Sequence, residues 1–386
     1  MIPPPASVRR ILVRANNWIG DVVMISPAVR ALRERFTGAE IAILARPWVL
    51  DALAANPYFD RLIPYESPGR HAGLIGRMRL AAELRRQKFD LAVLFQKAFD
   101  AAFLAAAARI PARVGHDTDH RGLLLTDRVH VTPESFRRHH VDFFLEVAEA
   151  CGCVVSTREP FFALAQEDRA WATEFLAGAA GSGASVRGAA VPGASVPGAA
   201  PASLLAIHPG GSKAPRAWHA ARFAELAGAL ADERGLVPMV VGDTGDAAAG
   251  EEIARAVPGT IIAAGSTTVR RMAALIERSA LFVGNDSGPM HIAGAVGTPA
   301  VGIFGPGTPE KTAPRTKPGR FEAVTLRFPC SPCKQDFFRE CDPAPSGKPW
   351  CIEKIEAETV LAACRRVLQT SSPPSHTPHD ASAPRP

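Results

Sequence analysis

The sequence predicts an α/β protein of two domains, each a parallel sheet covered by helices on both faces. Three observations predict it. Short apolar runs alternate with helical patterns in each half of the chain. At 386 residues the chain is too long for one ordinary core. Between the two alternating stretches lies an Ala/Gly/Pro-rich segment, residues 177–203, whose small side chains cannot build a core. Open sheets of this kind bind ligands beyond the carboxyl ends of their strands, so a cleft between the domains is the expected place for chemistry.

In the first half, "RRILVRA" is a short apolar run and reads as a strand. "IGDVVMISPAVRALRERF" carries the helical period and follows it as one helix, residues 19–36. "EIAILAR" is the next strand, "LIGRMRLAAELRRQK" an amphipathic helix, and "FDLAVLFQ" a strand. In the second half "LLAIHPGG" is a strand entering a glycine turn, and "HAARFAELAGALADERG" is a helix ending at Gly235. "VPMVVGD" is a strand, "VRRMAALIERSA" a helix, "LFVGND" a strand, "GPMHIAGAVG" a helix and "PAVGIFG" a strand. The expected boundaries are a first domain over residues 1–176, the flexible linker or insertion over 177–203, and a second domain over 204–352. A C-terminal helix over 353–369 precedes a Ser/Pro-rich, disordered tail over 370–386.

Composition narrows the function. Hydrophobic residues make up 47% and charged residues 21%, which is globular rather than disordered. The net charge of +6 suits an anionic substrate or surface, or is no more than a soluble basic exterior. No secretory signal is visible, and the longest apolar stretch, "LAVLFQKAFDAAFLAAAARI", is broken by Lys97, Asp100 and Arg109. The chain therefore reads as cytosolic, with any membrane contact peripheral. Aromatic residues are 7% and no nucleic-acid motif occurs, so nucleic acid is not an expected partner.

Two turns have the chemistry of anion sites. "IHPGGSKAPRAWHAARF" brings a strand into Gly210, Gly211 and Ser212, with Lys213 and Arg216 just beyond. Glycines let backbone N–H groups approach a ligand, and arginine can hold a phosphate through two parallel hydrogen bonds. By itself this is equally an ordinary loop. In "VGNDSGPMHIAGAVG", Asp286, Ser287 and Gly288 open a helix with His291 on its first turn; this is a helix start open to an anion, or a plain capping arrangement. "VVGDTGDAAAGEEI" places Asp243 and Asp246 beyond a third strand end, where a carboxylate accepts from ribose hydroxyls or forms a solvated turn.

Together these segments resemble glycosyltransferase family 9, the ADP-heptose:lipopolysaccharide heptosyltransferases, in particular the heptosyltransferase II branch. "NNWIGDVVMISPAVRAL" is similar to the family's Trp-x-Gly-Asp signature, "PGGSKAPRAW" to its Pro-Gly…Lys-x-Trp segment, and "NDSGPMHIAGAVGTPAVGIFGP" to its Asp-Ser-Gly-x-x-His element. The resemblance implies a GT-B fold, two Rossmann-like doubly wound domains facing a cleft, with acceptor on the first and nucleotide-sugar on the second. It implies inverting transfer of heptose from ADP-heptose to a lipopolysaccharide inner-core acceptor of the lipid A–Kdo type, with no cofactor required. Asp21 would be the general base. Gly211, Ser212, Lys213, Arg216, Ser287 and Gly288 would hold the donor diphosphate; Asp246 would face the ribose, and Asp286 and His291 would organise the donor site. The family's lysine two residues before the tryptophan is Arg216 here, so Lys213 shares that role.

Other features stand outside the resemblance. "GHDTDH" contains an Asp-x-Asp, Asp117 and Asp119, which reads as a chance match rather than a metal site. Cys330, Cys333, Cys341 and Cys351 can bind structural zinc or an iron–sulfur cluster, or remain thiols or a disulfide. The basic stretch carrying Arg70, Arg77, Arg79, Arg85, Arg86 and Lys88, with Arg109, Arg113 and Arg121, is either a solvated face or a contact for the anionic acceptor and the inner-leaflet surface. Alternatives to heptose transfer are another nucleotide-sugar, a protein acceptor, or a non-catalytic nucleotide- or nucleic-acid-binding module.

Overall fold

The structure, a computed structural model, describes residues 2–182, 203–211, 213–330, 333 and 335–370. Ser212, most of the expected linker and the expected tail beyond Thr370 lie outside the described residues.

The first sheet is built from β1 (Arg10–Arg14), β2 (Glu40–Ala45), β3 (Arg61–Pro64), β4 (Leu91–Leu94), β5 (Ala112–His116) and β6 (Asp127–Val129), in the order β3-β2-β1-β4-β5-β6 and parallel throughout. Its helices are α1 (Ile19–Met24), α2 (Ser26–Arg35), α3 (Pro47–Leu53), α4 (Gly73–Arg86), α5 (Phe99–Ala107) and α6 (His140–Ala150). β4 is buried along its whole length, as a central strand covered on both faces must be. After α7 (Gln166–Ser182) come β7 (Leu204–His208), β8 (Val237–Val240), β9 (Ile261–Ile262), β10 (Ser279–Asn285), β11 (Ala300–Phe304) and β12 (Phe321–Thr325). They form a second parallel sheet in the order β12-β11-β10-β7-β8-β9, covered by α8 (Ala220–Arg234), α9 (Ala247–Ala256), α10 (Val269–Glu277) and α11 (Gly288–Val296). The short α12 (Pro309–Thr312) and α13 (Trp350–Glu353) lead to α14 (Ala357–Thr370), whose Val360, Leu361 and Val367 are buried in the second core.

Two expectations need correction. The helix expected over residues 19–36 is two helices, because Pro27 has no N–H to give to the carbonyl of Val23. The hydroxyl of Ser26 donates to that carbonyl instead, at 2.7 Å. The segment expected to be a linker from residue 177 begins inside α7, which runs on to Ser182. Trp171 and Phe175 of α7 pack into the core of the second sheet with Met272 and Leu275, and Arg169 pairs with Glu277 through two 2.8 Å hydrogen bonds. The chain thus passes to the second sheet ahead of this helix.

Each sheet has the 3-2-1-4-5-6 strand order of a dinucleotide-binding fold, and its connections reverse direction next to its first strand. In the first sheet that switch lies between β1 and β4; in the second it lies between β7 and β10. The two switch points meet. α1 abuts α11 so closely that a Cβ on Gly20 would stand 2.8 Å from Cδ2 of His291, and one on Gly288 would stand 3.2 Å from Cβ of Ile19. His139 Nε2 donates to the carbonyl of Ala313 at 2.8 Å, and Arg315 holds Asp142 through both guanidinium nitrogens, so the two halves are also tied by polar bonds.

Gly20→Ala is expected to destabilise the protein by about 1 kcal/mol net, overpacking of about 2 kcal/mol outweighing the helix propensity of alanine, worth about 1. Gly178→Ala in α7, where a Cβ meets nothing within 4 Å, is the control and is expected to stabilise. Thermal unfolding of the two variants checks this.

Candidate active site

The first switch point supplies a carboxylate. β1 ends in the loop Ala15–Trp18, and Asp21 follows on the first turn of α1. Asn16, itself buried, donates from Nδ2 to Asp21 Oδ2 at 3.0 Å. The loop after β4 brings Lys97 into the same region, with its ammonium 5.2 Å from the ring of Phe143. Burial pushes the proton affinity of Asp21 above that of an ordinary aspartate; the Asn16 hydrogen bond and the charge of Lys97 oppose that shift. The result is a carboxylate that attracts a proton yet is held in a fixed direction.

The second switch point supplies two turns joined by one side chain. Asn285, fully buried at the end of β10, donates from Nδ2 to the carbonyls of Pro209 and Gly210 at 2.7 and 2.9 Å. Its Oδ1 accepts from the backbone of Trp218 at 3.0 Å. The glycine turn after β7 is thereby locked to the start of α11. Ser287, at the N-cap of α11, gives no side-chain cap to the helix; its Oγ lies 3.0 Å from Nδ1 of His208 and donates to the carbonyl of Asn285. The N-terminal N–H groups of α11 therefore have no partner in the Ser287 hydroxyl and remain available to an anion.

Three histidines gather where the halves touch. His291 is buried against Gly20, and burial, with added repulsion from His139, His140 and Arg216, pushes its pKa down to about 3. It is a neutral imidazole at any physiological pH. His139 accepts from Val141 N at Nδ1 and donates from Nε2 to Ala313, which fixes its tautomer. His140 is likewise pushed down, to about 4, by burial and by Lys97.

The expected site residues divide. Asp21, Gly211, Ser287, Gly288, Asp286, His291 and Arg216 all lie at or beside the facing switch points. Arg216 forms an ion pair with Asp286 and donates to its carbonyl at 2.9 Å, so its charge is already matched by a carboxylate. Burial raises the proton affinity of Asp286 against the pull of Arg216. Lys213 reaches toward the cysteine-rich segment, donating to the carbonyl of Gln335 at 3.3 Å and lying over the ring of Phe337. Asp246 turns its carboxylate onto its own loop: Oδ2 accepts from Asp243 N at 2.9 Å and lies 3.5 Å from His208 Nε2. A Cβ on Gly210 would meet it at 1.9 Å, so the glycine turn and the acidic turn are packed together.

The basic residues depart further from expectation. Arg121 is not on a surface; it is fully buried, donates to carbonyls of His116, Gln96, Ala98 and Leu94, and has its pKa pushed down to about 10 by burial. Arg113 is bound to the carbonyls of Leu124 and Ile110. Arg77 pairs with Asp100 at 2.8 Å and Arg79 donates to the carbonyl of Arg70, and both remain exposed. The Asp-x-Asp pair is structural: Asp117 engages His130 and the backbone of Val131, and Asp119 accepts from Phe99 N. Among the described residues no three of His, Cys, Asp or Glu are grouped to hold a metal ion. Zinc or an iron–sulfur cluster at Cys330, Cys333, Cys341 and Cys351 therefore finds no support there. Cys351 is buried, and its thiol is pushed up to about 11 by that burial and by Cys330.

The sequence pattern did not single out Asn16, Lys97, His139, His140, His208 or Asn285. Asn16 and Asn285 adjoin motifs that did stand out; the adjacent pair in "RRHHVDFF" and the lysine of "FQKAF" gave no signal of their own.

The paired sheets with facing switch points place the fold in the GT-B class of glycosyltransferases. The solved structure of E. coli ADP-heptose lipopolysaccharide heptosyltransferase II superposes with a TM-score of 0.72 at 24% identity, over 93% of this chain and 98% of that one. Residues 77–340 match the family described as glycosyltransferase family 9 (heptosyltransferase), and the chain belongs to it and is a glycosyltransferase. It is 28% identical over 326 residues to lipopolysaccharide heptosyltransferase 2 of Escherichia coli (strain K12), covering 81% of this chain and 87% of that protein. It is 29% identical over 319 residues to lipopolysaccharide heptosyltransferase 2 of Salmonella typhimurium, with the same coverage.

Removing the amide that supports the ionised form of Asp21 has a direct consequence. In Asn16→Ala the Asp21 carboxyl is expected to titrate at higher pH than in the native protein, because only the charged form receives that hydrogen bond. Carboxyl 13C NMR across a pH series measures it; a shift to lower pH would contradict the geometry.

Proposed function

We propose that the protein transfers heptose from ADP-heptose to an inner-core lipopolysaccharide acceptor of the lipid A–Kdo type, in one inverting displacement that uses no metal ion. The observation that carries this reading is the meeting of the two switch points: Asp21 stands one residue from the contact between Gly20 and His291, and the α11 N-terminus forms the opposite wall. In this reading the first sheet holds the acceptor and the second holds the nucleotide-sugar. The names of the relatives, and the donor named for the solved heptosyltransferase II, agree with it.

The step balances as follows. The acceptor hydroxyl gives its proton to Asp21 while its oxygen bonds to the anomeric carbon. The bond from that carbon to the β-phosphate oxygen breaks on the opposite face, and ADP leaves with the electron pair. Negative charge grows on the leaving oxygen, toward which the N–H groups at the start of α11 would be directed, with Arg216 beside them in its pair with Asp286. Neutral His291 adds a polar wall without competing for the proton, since its pKa is near 3.

The same reading extends to a membrane surface. Trp18, Trp48, Leu74, Phe99, Leu123 and Phe136 are exposed, and each follows a different strand of the first sheet. Because those strands are parallel, the connections that carry these residues leave the sheet at one edge, the edge where the acceptor would enter, and Arg70, Arg77 and Arg79 on one of those connections are exposed as well. Large apolar groups beside arginines suit an anionic lipid interface. Among the described residues no helix is long and apolar enough to cross a membrane.

Two experiments test these statements. ADP and ADP-heptose are expected to stabilise the protein by roughly 2.7 kcal/mol at a hundred times their dissociation constants, with UDP and GDP inert. Asp21→Asn should keep that stabilisation and lose on the order of 10²–10⁴-fold in kcat; stabilisation by UDP alone, or full activity in the variant, would defeat the assignment. In sedimentation with vesicles, binding to phosphatidylglycerol-rich membranes should exceed binding to phosphatidylcholine and fall in Leu74→Glu. Equal binding to both vesicle types would remove the membrane reading.

A further inference from the structure

Beside the loop that carries Asp21, the ends of β1 and β2 hold more positive charge than the protein itself balances. Arg14 ends β1 and is 2% exposed. It donates to the carbonyls of Ala15 and Leu44 and, at 3.3 Å, to Oδ1 of Asn17, while its Nε is buried without a partner. Arg46 follows β2; its Nε and Nη1 are both buried with no hydrogen-bond partner. The two guanidinium groups lie on the ring of Tyr65, 5.1 and 4.9 Å from its centre.

Among the described residues Asp100 is the carboxylate that acts on Arg14, and it is already shared. Asp100 accepts from the Tyr65 hydroxyl at 2.8 Å and pairs with Arg77 at 2.8 Å. Burial pushes the pKa of Arg14 down to about 10, and the charge of Arg46 pushes it further the same way against Asp100 and Tyr65. Three guanidinium groups against one carboxylate is a costly arrangement in a partly dry setting unless an anion completes it. The rim is also fixed: Trp48, at the start of α3, covers Arg46 at 5.9 Å and ties α3 to the β1 loop by donating from Nε1 to Asn17 O at 3.1 Å. Asn17 is the residue after Asn16, which holds Asp21.

We propose that Arg14 and Arg46, whose guanidinium groups lie 5.1 and 4.9 Å from the centre of the Tyr65 ring, form a subsite for an oxyanion carried by the acceptor, a phosphate ester or a sugar-acid carboxylate. The inference rests on the acceptor lying on the first sheet, as in the proposed function. The unpartnered Nε and Nη1 of Arg46 lie on different edges of its guanidinium and offer separate N–H donors; with the unpartnered Nε of Arg14 they leave three donors for the oxygens of an anion. Arg14 and Asp21 flank the same loop, Ala15–Trp18, so an acceptor anchored there would lie on the edge of the sheet that carries the base.

The test separates this subsite from the reaction. With the donor side saturated by ADP, inorganic phosphate and, separately, acetate are titrated against chloride at constant ionic strength, and thermal stability is read. Phosphate, acetate or both are expected to raise the Tm of the native protein, and the rise should vanish in Arg46→Gln; whichever anion acts identifies the chemistry. An equal rise in native and variant proteins, or none in either, overturns the proposal. If Arg46→Gln does not fold, Arg46→Lys replaces it: a smaller rise is expected, and an undiminished one overturns the proposal. In transfer assays Arg46→Gln should raise KM for the acceptor on the order of tenfold while KM for ADP-heptose stays put. Anion binding does not need turnover, so a chain that binds phosphate through Arg46 yet transfers no heptose would refute the proposed function and leave the subsite standing.

Discussion

The contact between α1 and α11 is the constraint on which the rest of the structure depends. Two parallel sheets can face each other in many ways, but only close approach of their switch points sets a carboxylate from one beside the anion-receptive turns of the other. That approach requires residues without side chains on both helices, and Gly20 and Gly288 are those residues. It also requires something to fill the seam without introducing charge. His291 does so as a neutral ring, and its low pKa follows from the same burial that lets it pack on Gly20. Geometry and electrostatics at the seam are therefore one fact seen twice.

Around that seam each side is organised by a buried amide. Asn16 directs the Asp21 carboxylate on the first sheet, and Asn285 joins the turns after β7 and β10 on the second. An amide suits both places because it donates and accepts without carrying charge, so it fixes direction at little desolvation cost.

Much of this was legible in the sequence. The alternation of apolar runs and helices announced both sheets, and the strands flanking the glycine turns were long enough to stand out. β3, β5, β6, β9 and β12 did not: β3, β5 and β6 each carry an arginine in a short apolar run, β9 is only Ile261–Ile262, and β12 carries Glu322. The glycine turns and Asp21 were visible because each motif is local. Lys97, His139 and His208 were not, because they come from separate loops and acquire their neighbours only when the sheets form. Arg121 shows the opposite error: a positive charge in a basic sequence reads as surface, yet carbonyls from three segments wrap it completely. Sequence gives the charge of a side chain; only the fold gives its depth.

Depth also distinguishes the two walls of the cleft. On the second sheet Arg216 is matched by Asp286 and His291 is neutral, so that wall presents directed N–H groups more than net charge. On the first sheet Arg77 pairs with Asp100, while Arg14 and Arg46 have no carboxylate at ion-pair distance among the described residues, and this part of the wall is positive. A positive field there does not stabilise a leaving diphosphate on the opposite wall as well as aligned backbone dipoles do, since those are fixed at the atom where charge appears. Under the proposed function it would draw in and orient an anionic acceptor over a longer range. In the proposed reading the unequal placement of charge gives the two substrates different means of capture: the donor by backbone geometry at the helix start, the acceptor by guanidinium groups beside the proposed base.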